Sequence, residues 1–355
     1  MLRPSPIFAL TLLLSAASFA AAPTLDHAIG LHQGGHLPEA LREYHALAAS
    51  PDPGTAATAL MNACVIQNDL GDSRAALPDC RRALDLARTL GDAEEIGRAL
   101  NNLGLALESL GEAAEAERRF REALAVNRQA GAAESEAANL SNLGTLAFEG
   151  GRYTAALELH GEAAALAARH SREPWAAEQV RIARINEGVV LDKVGAYREA
   201  LDLYRQVLGA AGELDPGRRA ALLVNTGVIY RNLGDPVKAV DLFQQAIAGY
   251  QARGPSGDSA GLSNAWLNLA LALHLNLERT AEAEDAYRQA LRLAEASGDR
   301  AEEIQDLFYL GRLLLRQNQL GEAEAAFRRC LAAAEASGSA EGRWSAREGL
   351  GRISR

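Results

Sequence analysis

Eight times along the chain, a small residue is followed at fixed intervals by the same short set of residue types. Counting from Gly104, glycine comes 7 positions later (Gly111), alanine 12 later (Ala116), an aromatic 16 later (Phe120) and a small residue 19 later (Ala123). Counting from Gly227 gives Gly234, Ala239, Phe243 and Ala246. The frame also fits from Ala28, Cys64, Gly144, Gly188 and Gly311, and from Ala270 if one residue is inserted in its turn, which yields Ala283, Tyr287 and Ala290. Six of the eight copies have glycine at the turn, whereas only 32 of 355 residues are glycine, so chance does not produce the match. A period of this kind confines the chain to an array in which each unit packs on its neighbours.

Each position has a physical reason. Small residues such as Gly104 and Ala116 let two helices cross closely. The turn glycine takes the left-handed conformation that closes the first helix. An acid then follows in Asp72, Glu112 and Asp235, suited to the positive N-terminus of the second helix. Asp215-Pro216 and Asp235-Pro236 add proline at a first helical position. Tyr44, Phe120, Tyr204, Phe243, Tyr287 and Phe327 are expected to wedge against the following unit. The sequence therefore predicts an all-α chain of about eight helix-turn-helix units over residues 23–338, with residues 339–355 as a capping helix carrying Trp344, Leu350 and Ile353. Pro78 falls inside a second helix and is expected to kink it. Residues 253–259, rich in Gly, Pro and Ser, are the expected flexible joint.

In these phrases the chain resembles the tetratricopeptide repeat proteins, over about residues 25–336. The anchors at 28, 64, 104, 144, 188, 227, 270 and 311 give periods mostly of 39–44 residues. That spacing resembles the longer repeats of kinesin light chains and LGN-type polarity adaptors. The surplus is placed in linkers such as residues 90–95 and 297–302. The resemblance implies a right-handed α-solenoid whose first helices line a concave groove that binds a peptide or protein segment.

Two residues before each anchor stand Asp26, Asn62, Asn102, Asn142, Asn186, Asn225, Asn268 and Tyr309. Six asparagines in register form a ladder on the first helices. In the long-repeat relatives such asparagines hold a partner's backbone, and an amide that both donates and accepts suits a peptide bond. The same residues could instead bond neighbouring repeats and set the stacking. One turn away on this face lie Arg98, Thr145, Val189 and Asn264, and two turns away Lys193. The face reads as neutral, half apolar and half amide. Arg98 and Lys193 are two repeats apart, which argues against a clamp for a terminal carboxylate.

His27, His32, His36 and His45 crowd the first repeat, but Gly34 and Gly35 break the register that a metal site with three or four converging ligands needs. No metal or cofactor is expected. His160 occupies an aromatic position and is expected in the core. Cys64 and Cys80 are the anchor and wedge of one hairpin, close enough for a bridge, although packed free thiols are the preferred expectation. Cys330 is expected to be buried and inert. No Gly-x-Ser-x-Gly elbow, His-Glu-x-x-His pair or phosphate loop occurs, so no enzymatic activity is expected.

With 36 basic against 46 acidic residues the net charge is −10, which disfavours nucleic acid and anionic membranes as partners. Residues 1–22 read as a signal peptide: Arg3, an apolar run from Ile7 to Ala17, and Ser18-Phe19-Ala20 before the cut. A buried first helix is the alternative. The run is too short to span a bilayer, and no membrane insertion of the mature chain is expected. The expected trade is that of an exported scaffold, periplasmic or secreted. The alternative is a structural cell-envelope component that oligomerises through its outer faces.

Overall fold

A computed structural model describes residues 23–210, 214–254 and 258–354. The expected signal peptide, residues 1–22, lies outside the described residues, as do residues 255–257 of the expected joint. The described residues form seventeen α-helices and no strand. They divide into two compact units, one up to Ala132 and one from Ala133.

The first unit holds three hairpins: α1 (Leu25–Gln33) with α2 (Leu37–Leu47), α3 (Pro53–Asp69) with α4 (Ser73–Leu90), and α5 (Ala93–Ser109) with α6 (Ala113–Ala130). The second unit begins with α7 (Ala133–Glu149) and α8 (Tyr153–Arg169), then α9 (Ala176–Lys193) and α10 (Tyr197–Gly209). It continues through α11 (Pro216–Asn232) and α12 (Pro236–Gln251), α13 (Ser259–Leu271) and α14 (Thr280–Ser297), and α15 (Arg300–Arg316) and α16 (Leu320–Ser337). The final helix is α17 (Ala340–Ile353). Within each unit, first helices touch the first helix of the next hairpin, as α3 does α5 and α11 does α13.

The repeated phrase explains these hairpins. The turn glycines Gly35, Gly71, Gly111, Gly151, Gly195 and Gly234 all have φ between 71° and 84°. The alanine 12 residues after each anchor (13 in the seventh hairpin), from Ala40 to Ala323, is fully buried in every hairpin. Asp72 and Asp235 cap the second helices by accepting from Ala75 N and Lys238 N (both 3.1 Å). Glu112 makes no such bond, contrary to expectation; its longer arm is a poorer cap than Asp, Asn, Ser or Thr. α4 continues through Pro78 as one helix.

Tyr287 makes the expected contact with the following unit by stacking on Tyr309, ring centroids 6.2 Å apart, and the wedges also pack within their own hairpins. Four of them lie over the glycine anchor of their own hairpin. A Cβ built on Gly104, Gly188, Gly227 or Gly311 would fall 2.2–2.8 Å from the ring of Phe120, Tyr204, Phe243 or Phe327. Phe327 also faces the next helix at Gly349, where a Cβ would come within 2.4 Å. His160 occupies the same place over Gly144 and is buried. Burial pushes its pKa down to about 4, so it packs as a neutral ring.

The extra repeat length also goes elsewhere than expected. α4 runs to Leu90 and α5 starts at Ala93, so only Gly91 and Asp92 separate them. Gly91, left-handed with φ 73°, closes one helix, and Asp92 caps the next through Glu94 N and Glu95 N. Gly298 and Asp299 repeat the device between α14 and α15. The surplus residues are therefore helical turns, giving helices of 17 and 18 residues. In α17, Ala346 and Gly349 are buried, whereas Trp344 is 67% exposed and does not cap the core.

The one-residue insertion in the seventh hairpin has a structural counterpart. The end of its first helix widens into a π turn, Ala272–Asn276, which accommodates one extra residue per turn. The left-handed turn position then falls on Glu278, at φ 55°. A side chain there costs about 1–2 kcal/mol. The ion pair from Glu278 to Arg316 (3.4 Å) is solvent-exposed and offsets little of this. Glu278→Gly is expected to stabilise the second unit by about 0.5–1 kcal/mol. Denaturant titration checks this, and an unchanged midpoint would mean the turn is already relaxed.

Candidate functional site

The six ladder asparagines all project from first helices. Asn62 is on α3, Asn102 on α5, Asn142 on α7, Asn186 on α9, Asn225 on α11 and Asn268 on α13. All but Asn268 are half-buried, poised between stacking and exposure. In the first unit, Asn102 donates through Nδ2 to Met61 Sδ (3.2 Å). Its carbonyl accepts from Asn68 Nδ2 (3.3 Å), a bond from one repeat to the next. Asn68 thus does the stacking that the sequence reading offered as an alternative role for the ladder. In the second unit Gln179 does similar work, donating to the Ala137 carbonyl (3.2 Å) and Ser141 Oγ (3.0 Å).

Two cavities are lined by ladder residues in the second unit. The first, about 210 Å³, is lined by Asn186 and Asn225 with Ile182 and Leu222 and, at its polar edge, Arg181 and Glu178. Glu178 accepts from Arg181 (2.7 Å) and also pairs with Arg218. The arrangement offers two amides over an apolar floor, with a charge-paired rim.

The second cavity, about 310 Å³, is lined by Asn268, Asn264, Arg231, Glu302 and Asp306, among others. Asn268 is 9% exposed. Its Nδ2 donates to Asn264 Oδ1 (2.6 Å), and its Oδ1 accepts from Arg231 Nη1 (3.1 Å). This rung is thus tied into its neighbours, while Asn264 is exposed beside it. Arg231 is desolvated, which lowers its pKa, and the Asp192 carboxylate favours its charge. Asp192 is itself pushed up by burial.

Arg98 and Lys193 are both exposed and belong to different units. Arg98 pairs with Glu95 on its own helix, so its charge is already answered. The expected neutral lining is not what the structure shows. Arg181, Arg218, Arg231, Glu178, Glu302 and Asp306 bring ion pairs and buried charge to this face. The first five escaped the sequence reading because they lie outside the single turn on either side of each asparagine. Asp306 was within reach, since it stands three residues before Tyr309, the eighth ladder position, and i, i+3 residues share a helix face.

Among the described residues no group of three or more His, Cys, Asp or Glu could hold a metal ion. The N-terminal histidines are engaged separately: His27 with Glu43 (2.9 Å), His45 with Asp79 (2.8 Å) and His32 edge-on to Tyr44. Cys64 and Cys80 form a disulfide, with Cα atoms 5.3 Å apart. This corrects the preference for free thiols. The anchor–wedge pair that is glycine or alanine against a ring elsewhere has the reach of a cystine when both are cysteine. Cys330 is a buried free thiol, its pKa raised by burial to about 11. Among the described residues, no helix is long and apolar enough to cross a membrane.

Paired helices closed by left-handed turns and stacked through a fixed alanine and wedge define a helical-repeat scaffold. The tetratricopeptide repeat model matches residues 55–129, 95–169, 178–252 and 261–336, and the chain belongs to the tetratricopeptide repeat family. No curated protein matched the sequence. Among solved structures, the chain is similar to the apo form of the quorum sensor NprR from B. thuringiensis, at 14% identity and TM-score 0.60, covering 93% of this chain and 97% of that one. It is similar to a Rap protein complexed with Competence and Sporulation Factor, at 18% identity and TM-score 0.55, covering 76% and 73%. It also resembles the APC/C hetero-tetramer Cut9–Hcn1, at 15% identity and TM-score 0.60, covering 92% of this chain and about half, 54%, of that one. At these identities the likeness is one of fold.

Proposed function

We propose that this chain is an exported adaptor that holds a segment of a partner protein against the face of its first helices, without catalysis. The observation that carries the reading is the cavity shared by Asn186 and Asn225, two amides free to bracket a peptide backbone above Ile182 and Leu222. Helices of 17 and 18 residues support membership of the long-repeat kind found in kinesin light chains and LGN-type adaptors. The disulfide suits an oxidising compartment and agrees with residues 1–22 acting as a signal peptide. Periplasmic or secreted residence follows from that reading. The fold of the NprR quorum sensor and of a Rap protein in complex with Competence and Sporulation Factor is compatible with a small peptide as the partner.

The test is affinity capture from an envelope extract on immobilised protein, alongside the double variant Asn186→Ala, Asn225→Ala. Two amides lost, at roughly 0.5–1.5 kcal/mol per hydrogen bond, are expected to weaken a partner about fivefold to a hundredfold. A species retained by the parent and lost from an equally helical variant supports the groove. Equal retention by both would move the interface to the outer faces, the geometry expected of a structural envelope component.

A further inference from the structure

The second cavity contains a group that the proposed function does not use. Asp306 is 1% exposed, lines the cavity of about 310 Å³, and neither carboxylate oxygen has a hydrogen-bond partner. A buried carboxyl without a partner costs stability, and the fold retains one here beside a second acid, Glu302. The charged groups around it do not neutralise it. Glu302, on the same helix, repels it. Tyr287 on α14 feels the Asp306 charge but is a neutral phenol held well above its usual range by burial. From α13 come only the amides Asn264 and Asn268 and the hydroxyl of Ser263. Arg231 on α11 directs one N–H to Asn268, and Asp192 is the chief partner of its charge. The lining therefore carries two acids against one base, with amide oxygens at its mouth.

We infer that this cavity is a receptor for an organic cation, a guanidinium or primary ammonium group seated on Asp306 and Glu302. A guanidinium suits it best, since its planar fork can satisfy both orphan oxygens of Asp306 at once. Two sources carry this chemistry: a basic side chain of a peptide lying along the first helices, and a free small amine. The peptide source rests on the proposed function, while the cation site itself does not. Burial and Glu302 raise the Asp306 pKa to about 8, so at pH 7 the empty site holds a proton. Cation binding favours the carboxylate and must expel that proton. Affinity then rises with pH up to about 8 and levels off above.

The experiment is calorimetric titration of the full mature protein with three probes: Nα-acetyl-arginine amide, agmatine, and the uncharged isostere Nα-acetyl-citrulline amide. The arginine amide or agmatine is expected to bind with proton release at pH 7, and citrulline amide at least tenfold more weakly. Asp306→Asn is expected to lower affinity at least tenfold and abolish the proton release. At pH 7 it replaces a protonated, unpartnered carboxyl by a neutral amide of the same shape, so the variant should fold about as stably as the parent. Glu302→Gln provides a second, milder variant, expected to weaken binding severalfold. Tighter binding of the capped arginine names the peptide source, and tighter binding of agmatine the free amine. Binding of neither cation, or binding unchanged in Asp306→Asn, overturns the site. Because no partner protein is used, that failure would leave the asparagine groove untouched, and failure of the capture assay would leave the cation site standing.

Discussion

Gly227→Ala is expected to destabilise the second unit, and the same substitution is expected to stabilise it once Phe243 has been cut back to alanine. In an ordinary helix interior, alanine is better than glycine by about 0.5–1 kcal/mol. At Gly227 the new Cβ would lie 2.6 Å from the Phe243 ring, and both residues are enclosed in the core. Either the ring or the helix crossing must shift, at about 1–3 kcal/mol, which exceeds the propensity gain. Phe243→Ala alone removes a fully buried ring and is expected to cost about 3–5 kcal/mol. In that background the overlap is gone and Gly227→Ala fills part of the void. A double-mutant cycle by urea denaturation reads the coupling. Additive effects would show that the anchor and wedge are not a packed pair.

The second large effect is expected at the Cys64–Cys80 bridge, which spans 16 positions. A closed loop of this length is worth about 3 kcal/mol, largely through the unfolded chain it restricts. Both cysteines are fully buried, so their replacement by alanine also removes packing between α3 and α4. The double Cys→Ala variant should lose on the order of 10 °C in the midpoint of the first unit, and reductant should reproduce most of that loss in the parent alone. Insensitivity of the parent to reductant, with alkylation of all three cysteines in the native state, would contradict the bridge.

The repeat frame was legible because it is made of local, irreplaceable demands. A left-handed turn favours glycine, a close crossing needs alanine, and a buried ring covers the crossing in seven of the eight hairpins. Those constraints placed Gly234, Ala239 and Phe243 where they stand, and even located the turn whose extra residue becomes a π bulge. The destination of the surplus length was less legible, because Gly91-Asp92 is a two-residue stop-and-start signal that reads like a loop when flanked by Glu94 and Glu95. Of the site, the ladder positions could be read as positions on first helices. The long-range bonds of Asn102 and Asn268 reach residues 34–41 positions away, such as Asn68 to Asn102 and Arg231 to Asn268, and periodicity carries no information about those pairs. Asp306 was missed because an acid on a helix ordinarily reads as solvated charge, and only packing reveals that this one is enclosed.

The bridge in the second hairpin has a mechanical side. A chain of stacked hairpins drawn out by its ends gives up length one hairpin at a time, each freed residue contributing about 3.5 Å of contour. The residues between Cys64 and Cys80 include the whole turn, Leu70 to Asp72, and are shunted by a link whose ends are 5.3 Å apart. Roughly 50 Å of slack is thereby withheld, at about 3.5 Å for each of those residues. Tension that unravels α3 and α4 passes through sulfur rather than through the turn, so the second hairpin retains a knot of unextended chain when its neighbours are straight. In an oxidising environment this makes it far less extensible than the third hairpin of its unit, and a reducing environment would return it to that hairpin's length.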